Sequence, residues 1–182
     1  MTTLHLIRHG ETAWNAERRF QGQSDVPLSD RGREQADELA ELLAGRRIGA
    51  VYSSDLSRAL ETARPLAERL GLEVVVDTRL RERHFGWAEG RTDDEVEGRY
   101  PSAWWANPDG RIPGGESRRD VWSRVAGFLD ELLADPPADE VAIVTHGGAI
   151  RVATGYLAQE DLETLEHRSY ANVSVTTVEV DR

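Results

Sequence analysis

Two short apolar segments, far apart in the chain, each run straight into a histidine followed by glycine. Thr3–Ile7 leads into Arg8-His9-Gly10, and Val141–Thr145 leads into His146-Gly147-Gly148. Short runs of this kind suit buried strands. Amphipathic stretches between the strand candidates supply the helical crossovers that parallel strands require. The order is strand, helix, strand, helix, strand, which predicts an α/β fold: a three-layer sandwich around a mainly parallel central sheet. Ligands of such open sheets bind just beyond the carboxyl ends of the strands. Arg8, His9 and His146 are therefore expected at the rim of one crevice.

The remaining elements follow from capping residues and periodicity. Glu11 to Leu28 reads as a polar loop, closed by Ser29 as N-cap of a helix carrying Ala36, Leu39, Ala40 and Leu43, with Gly45 as its stop. Ala50–Ser53 reads as the second strand. Ser57 is the expected cap of the next helix (Leu56, Ala59, Leu60, Ala63, Ala67, Leu70), which Gly71 ends and Pro65 should kink or break. Leu72–Val76 is the third strand. Residues 79–116 are rich in Arg, Gly, Pro and Trp and read as an irregular excursion over the carboxyl edge of the sheet, with a short helix within Thr92–Tyr100. Glu116 and Ser117 open a long helix closed by Pro136-Pro137. A helix from about Ala149 to Leu157 and a last strand within Asn172–Val180 complete the chain.

A length of 182 residues favours a single domain spanning 1–182. The net charge of −11 argues against nucleic acid and anionic membrane surfaces as partners. There is no apolar run of the roughly 18 residues a membrane span needs and no signal-peptide pattern at the start. Cysteine is absent, which removes thiolate chemistry and suits a cytoplasmic location. A homodimer is left open.

A neutral imidazole is a competent nucleophile near pH 7. If His9 attacks a phosphoryl group, the oxygens need planar donors, and Arg8 is adjacent. Arg58 sits in the first turn of a helix, where a cation is disfavoured unless an anion is at hand. His146 ends a neighbouring strand. The leaving oxygen needs a proton, for which Glu82 is the candidate, with Glu11, Glu89 and Glu116 equally permitted by position. His84 lies two residues past Glu82 and either lines the substrate pocket or faces solvent. His5 reads as a strand residue with a partner, and His167 as a surface residue. Arg79, Arg81 and Arg83 either steer anions or form an ordinary solvated face. Trp104-Trp105 either cap the site or simply pack. A metal centre would want a third ligand at suitable spacing, and none is evident.

These blocks, in order, resemble the histidine phosphatase (phosphoglycerate mutase-like) superfamily. The resemblance runs through Arg8-His9-Gly10-Glu11-Thr12, Trp14-Asn15, Gln21-Gly22, Asp25, Pro27-Leu28-Ser29, Ser53-Ser54-Asp55-Leu56, Arg58-Ala59, Leu80-Arg81-Glu82, Gly114-Gly115-Glu116-Ser117 and Thr145-His146-Gly147-Gly148. It implies that His9 is phosphorylated and that Glu82 is the acid, later the base for water. It implies a phosphate pocket of Arg8, Asn15, Arg58 and His146 with the Gly147 N–H, and places Gln21 and Gly22 beside the substrate. It implies no cofactor and no metal. The ligand would be a small-molecule phosphate ester, such as a sugar or glycerate phosphate. The short span from Glu82 to His146 and the Gln21-Gly22 pair lean toward the bacterial phosphatase branch, similar to glucosyl-3-phosphoglycerate and α-ribazole phosphatases. The alternatives are a phosphoglycerate mutase and an inactive phospho-ligand or protein-binding module. In Phe85-Gly86-Trp87-Ala88-Glu89-Gly90 the Trp comes one position earlier than in many relatives.

Overall fold

A computed structural model of the protein describes residues 1–100 and 107–181. In chain order its elements are β1 (Thr2–Arg8), α1 (Ala13–Ala16), α2 (Asp30–Leu43), β2 (Ile48–Ser53), α3 (Ser57–Leu70), β3 (Val74–Val76), α4 (Asp93–Glu97), α5 (Arg118–Ala134), β4 (Glu140–Thr145), α6 (Gly147–Leu157) and β5 (Val175–Val180). The strands form one sheet in the order β3-β2-β4-β1-β5. β1, β2, β3 and β4 are mutually parallel, and β5 runs antiparallel to β1 at the edge. This is the mainly parallel sheet that the strand and helix order predicts.

Alternation along the central strands divides the core between two faces. Leu4 and Leu6 of β1 and Val141 and Ile143 of β4 pack under α5 and α6, against Val125, Phe128, Leu129 and Ile150. Ile7, Val51, Ala142 and Val144 pack under α2 and α3, against Leu39, Leu43, Ala63 and Leu66. Leu4, Leu6, Ile7, Leu66, Leu129 and Ile150 are at most 1% exposed. Each such side chain contributes about 1.5–3 kcal/mol. Rigid helices on both faces leave only the strand ends open to a ligand. Among the described residues no helix is long and apolar enough to cross a membrane.

Several boundaries differ from the sequence expectation for identifiable reasons. Ser57 is not the cap of α3 but its first residue. Leu56 takes the cap position without a side-chain bond, and Asp25 Oδ1 accepts from both Ser57 N (2.8 Å) and Ser57 Oγ (2.7 Å). Asp25 thus serves the free N–H from 32 residues upstream, which local sequence does not reveal. Pro65 does not break α3, which runs unbroken over Ser57–Leu70. The flanking Ala63, Leu66 and Ala67 are buried against the sheet and hold it in place. α2 ends at Leu43 with Ala44 as its cap, just before Gly45 as expected, and α6 starts at Gly147, two residues earlier than expected. β3 and β5 keep only the C-terminal parts of their expected ranges, and the polar loop after β1 holds the short α1. Thr92 and Ser117 cap α4 and α5 with reciprocal bonds from Glu95 and Asp120. Trp104 and Trp105 lie outside the described residues.

Candidate active site

The two histidines meet because β1 and β4 are neighbours in register. Arg8 stands opposite Thr145, and His9 N donates to Thr145 O at 3.0 Å. The His9 and His146 ring centroids are 5.1 Å apart, close to one interstrand spacing, with the rings tilted by 59°. His9 is 3% exposed and His146 is fully buried. His9 Nδ1 lies 2.7 Å from Gly10 O. A carbonyl oxygen only accepts, so Nδ1 carries the proton and Nε2 keeps the lone pair. Burial, then the charges of Arg58 and Arg8, hold the His9 pKa well below its ordinary value. Burial, then Arg58 and His9, do the same to His146.

Both rings are thus neutral in the folded protein at neutral pH, which ties stability to acidity. The unfolded chain takes up a proton on each ring near pH 6.5, and the folded protein does not. Stability is therefore lost as pH falls below 6.5, by about 1.4 kcal/mol per pH unit for each histidine until its folded pKa is reached. Urea unfolding at a series of pH values between the two ends of this range measures the slope. It is expected to become shallower in His146→Asn by the share of one histidine, and an unchanged slope would show that the His146 ring charges within the fold.

Two guanidinium groups supply the positive charge. Arg58, in the first turn of α3, is fully buried. Its Nη1 donates to Ser24 O (2.9 Å) and its Nη2 to Gly22 O (2.7 Å). Burial lowers its pKa to about 10, with Glu82 the largest opposing influence, so it stays charged at neutral pH. Arg8 Nη1 donates to Tyr170 O, and burial lowers its pKa against the pull of Glu82. Among the described residues, Arg8 Nε, Arg58 Nε and both ring nitrogens of His146 are buried without a hydrogen-bond partner. Each such atom costs about 1–3 kcal/mol. A cluster of orphaned donors around a nucleophilic nitrogen fits a tetrahedral oxyanion.

Asn15 and Gln21 are oriented by the turn after β1. Asn15 Oδ1 accepts from Thr12 N (3.1 Å), from Thr12 Oγ1 (3.2 Å) and from Asn172 Nδ2 (3.3 Å), which commits the oxygen and leaves the amide nitrogen to donate. Thr12 Oγ1 lies 2.8 Å from Gln21 Oε1. Gly22 takes φ +55°, and a Cβ there would fall 2.1 Å from Glu89 Oε1, so only glycine fits. The sequence places Asn172 at the start of a strand candidate and gives no sign of a role beside His9. Its Nδ2 also donates to His9 O at 3.0 Å, and it precedes Val173, a β-branched residue at φ +52° whose N–H donates to Arg8 O.

Four carboxylates were candidates for the acid, and they differ in partners and placement. Glu82 Oε2 accepts from Gly148 N at 3.0 Å, in the first turn of α6, and Oε1 accepts from Arg83 N at 2.8 Å. Glu82 also lines the same cavity as Arg8, Gly147 and Gly148. Glu11 accepts from Ser29 Oγ. Glu89 accepts from Gln23 N, Ser24 N, Ser24 Oγ and Phe85 N, tying two loops together. Glu116 is paired with Arg124. His84 does not line the cavity; it is 40% exposed, and its Nδ1 accepts from Gly86 N at 2.9 Å.

The cavity has a volume of about 790 Å³, far larger than a phosphate. Arg83, Arg118 and Arg151 line it as well as Arg8, together with Phe20, Phe85 and Tyr170. Burial lowers the pKa of each of these three arginines, that of Arg83 to about 10. Arg79 and Arg81, by contrast, pair with Asp77 and Asp55. Of the expected arginine run, only Arg83 reaches the cavity. His167, exposed as expected, lies on its rim, and His5 pairs with Thr177 and Glu140 inside the sheet. Among the described residues no three His, Cys, Asp or Glu side chains come together as a metal set.

Known proteins share this sequence pattern and this fold. The family described as "Histidine phosphatase superfamily (branch 1)" matches residues 4–182. The chain is 42% identical over 154 residues to "Probable phosphoglycerate mutase GpmB" of Cronobacter sakazakii, covering 82% of this chain and 72% of that one. Among solved structures, the mycobacterial glucosyl-3-phosphoglycerate phosphatase with VO3 superposes with a TM-score of 0.93 at 38% identity, covering 98% of this chain and 91% of that one. The α-ribazole phosphatase of Shigella flexneri superposes with a TM-score of 0.89 at 28% identity, covering 100% and 92%.

Proposed function

Because this chain belongs to branch 1 of the histidine phosphatase superfamily, we propose that it hydrolyses small phosphate monoesters through a phosphohistidine on His9. The observation that carries the reading is the His9 ring itself. It is buried and neutral, with its free Nε2 near the charges of Arg8 and Arg58 and beside His146; Nε of both arginines and both His146 ring nitrogens are buried without a partner.

His9 Nε2 attacks phosphorus, the P–N bond forms, and the ester P–O bond breaks. Glu82 gives its proton to the leaving oxygen, so that an alcohol departs. Glu82, now a carboxylate, takes a proton from water. The hydroxide formed attacks phosphorus on the side away from His9, the P–N bond breaks, and inorganic phosphate and neutral His9 are restored. Arg8 and Arg58 offset the charge on the equatorial oxygens throughout. Asn15, Gln21, Gly22 and the Gly147 N–H complete the grip on substrate. No step needs a metal, because the guanidinium groups supply the charge. Phosphate release from p-nitrophenyl phosphate is therefore expected to persist in excess chelator; its loss would overturn the metal-independent mechanism.

The three further arginines of the cavity wall, which outnumber the one carboxylate beside them (Glu163), favour a leaving group with its own negative charge, such as a glycerate or a glucosyl glycerate, the substrate type named for the mycobacterial neighbour. Comparing kcat/KM for 3-phosphoglycerate and glycerol 3-phosphate, which differ by one carboxylate, tests this preference. The likeness to a protein named a phosphoglycerate mutase favours a second reading, transfer within a glycolytic acid. Formation of 2-phosphoglycerate without phosphate release would establish it.

A further inference from the structure

Glu82 lies on a stretch of chain with no strand or α-helix to hold it. A single 3-10 turn, Thr78–Leu80, precedes it, and the carbonyls of residues 79–82 have no ladder to enter. Three of them, at Arg79, Arg81 and Glu82, meet one arginine instead, and Glu82 O also accepts from Gln23 Nε2 at 3.2 Å. Arg124 of α5 donates from Nη1 to Arg79 O (2.7 Å) and Arg81 O (2.6 Å), and from Nη2 to Glu82 O (3.0 Å). The other edge of the guanidinium is bidentate on Glu116, Nε to Oε1 and Nη2 to Oε2, both at 3.0 Å. Glu116 Oε2 in turn accepts from His84 N at 2.9 Å. One ion pair thus holds the backbone on both sides of Glu82: three carbonyls before and at it, and one N–H after it. Thr145 Oγ1, at the end of β4, adds a bond to Leu80 O at 2.6 Å.

General acids lose most of their effect when displaced by an ångström, so an acid on irregular chain needs an anchor of this kind. Lysine would not replace it, because a single ammonium cannot span the carbonyls and the carboxylate with a planar fork. We propose that Arg124, braced by Glu116, is a positioning residue that sets the reach of the Glu82 carboxyl to the leaving oxygen. The proposal rests on the reading of Glu82 as the acid, and its experiment separates the two.

The readout is the ratio of kcat/KM for p-nitrophenyl phosphate to that for glycerol 3-phosphate. The phenolate leaves with little help from an acid, whereas the alkoxide needs a full proton, and kcat/KM reports only the steps up to leaving-group departure. Glu82→Gln is expected to raise this ratio about 100-fold. Arg124→Met is expected to raise it about tenfold, with Arg124→Lys in between. Should Arg124→Met fail to fold, Glu116→Gln removes the brace and is expected to shift the ratio in the same direction. A merely structural role would lower both substrates equally, along with Tm. An unchanged ratio in active Arg124→Lys and Glu116→Gln proteins overturns the proposal alone. An unchanged ratio in Glu82→Gln, or a wild-type protein inert toward both esters, overturns the reading beneath it and the proposal with it.

Discussion

His9→Ala is expected to lose turnover of every phosphate ester by about 10⁴-fold or more, because no second group can take the phosphoryl in its place. His146 sits 5.1 Å away, ring centroid to ring centroid, but it leaves the end of a different strand, and neither of its nitrogens is fixed by a hydrogen bond that would aim the other. His9 is so aimed: Gly10 O holds Nδ1–H, and the lone pair of Nε2 faces the opposite way. The loss should come with little change in Tm, since alanine removes a buried polar ring whose one bond is to its neighbour's carbonyl. Rapid quenching of wild-type protein with labelled substrate should trap an acid-labile phosphoenzyme that His9→Ala lacks. Turnover within tenfold of wild type would place the nucleophile elsewhere.

Glu82→Gln is expected to lower kcat/KM for alkyl phosphates by about 10²- to 10³-fold. Glutamine has no proton to give, and it also fits the site poorly. Both carboxylate oxygens accept from backbone N–H groups, of Arg83 and of Gly148, so an amide must set its NH₂ against one of them. Gly148→Ala reaches the same end by another route. A Cβ there would stand 2.2 Å from Glu82 Oε1, and the carboxyl must give way. The two variants should therefore share one leaving-group profile. If Gly148→Ala keeps wild-type rates on alkyl esters, the acid does not work from the position seen here.

What could be read in advance was whatever depends on short-range pattern. The apolar runs before His9 and His146 located two strand ends, and the alternation of strand with helix made those strands parallel neighbours. Arg58 was legible because a cation in the first turn of a helix is out of place. The contacts that orient these groups were not legible, because they cross the chain at large separations. Asp25 caps α3, Gly22 O and Ser24 O hold Arg58, Tyr170 O holds Arg8, and Asn172 spans from His9 to Asn15. Most of these partners are backbone carbonyls, which every residue has, so residue type carries no signal of them. The same is true of Glu89 and Glu116. By position they competed with Glu82, and only their donors reveal them as clasps between loops.

The register of β1 on β4 has a bearing on how such a protein can diverge. The separation of the two histidines is set by the hydrogen-bond spacing of a sheet, a length that no side-chain substitution alters. The rest of the cavity wall comes from Arg83 and Phe85, from residues within 163–170 and from the faces of α5 and α6 that look into it. Under the proposed mechanism, most of the bond-breaking groups and most of this wall thus lie on separate parts of one chain. On that reading, exchange of these wall residues retargets the enzyme while its ruler stays in place, so laboratory evolution for a new ester is expected to gain most at Arg83, Phe85 and residues 163–165 and least at residues 8–10.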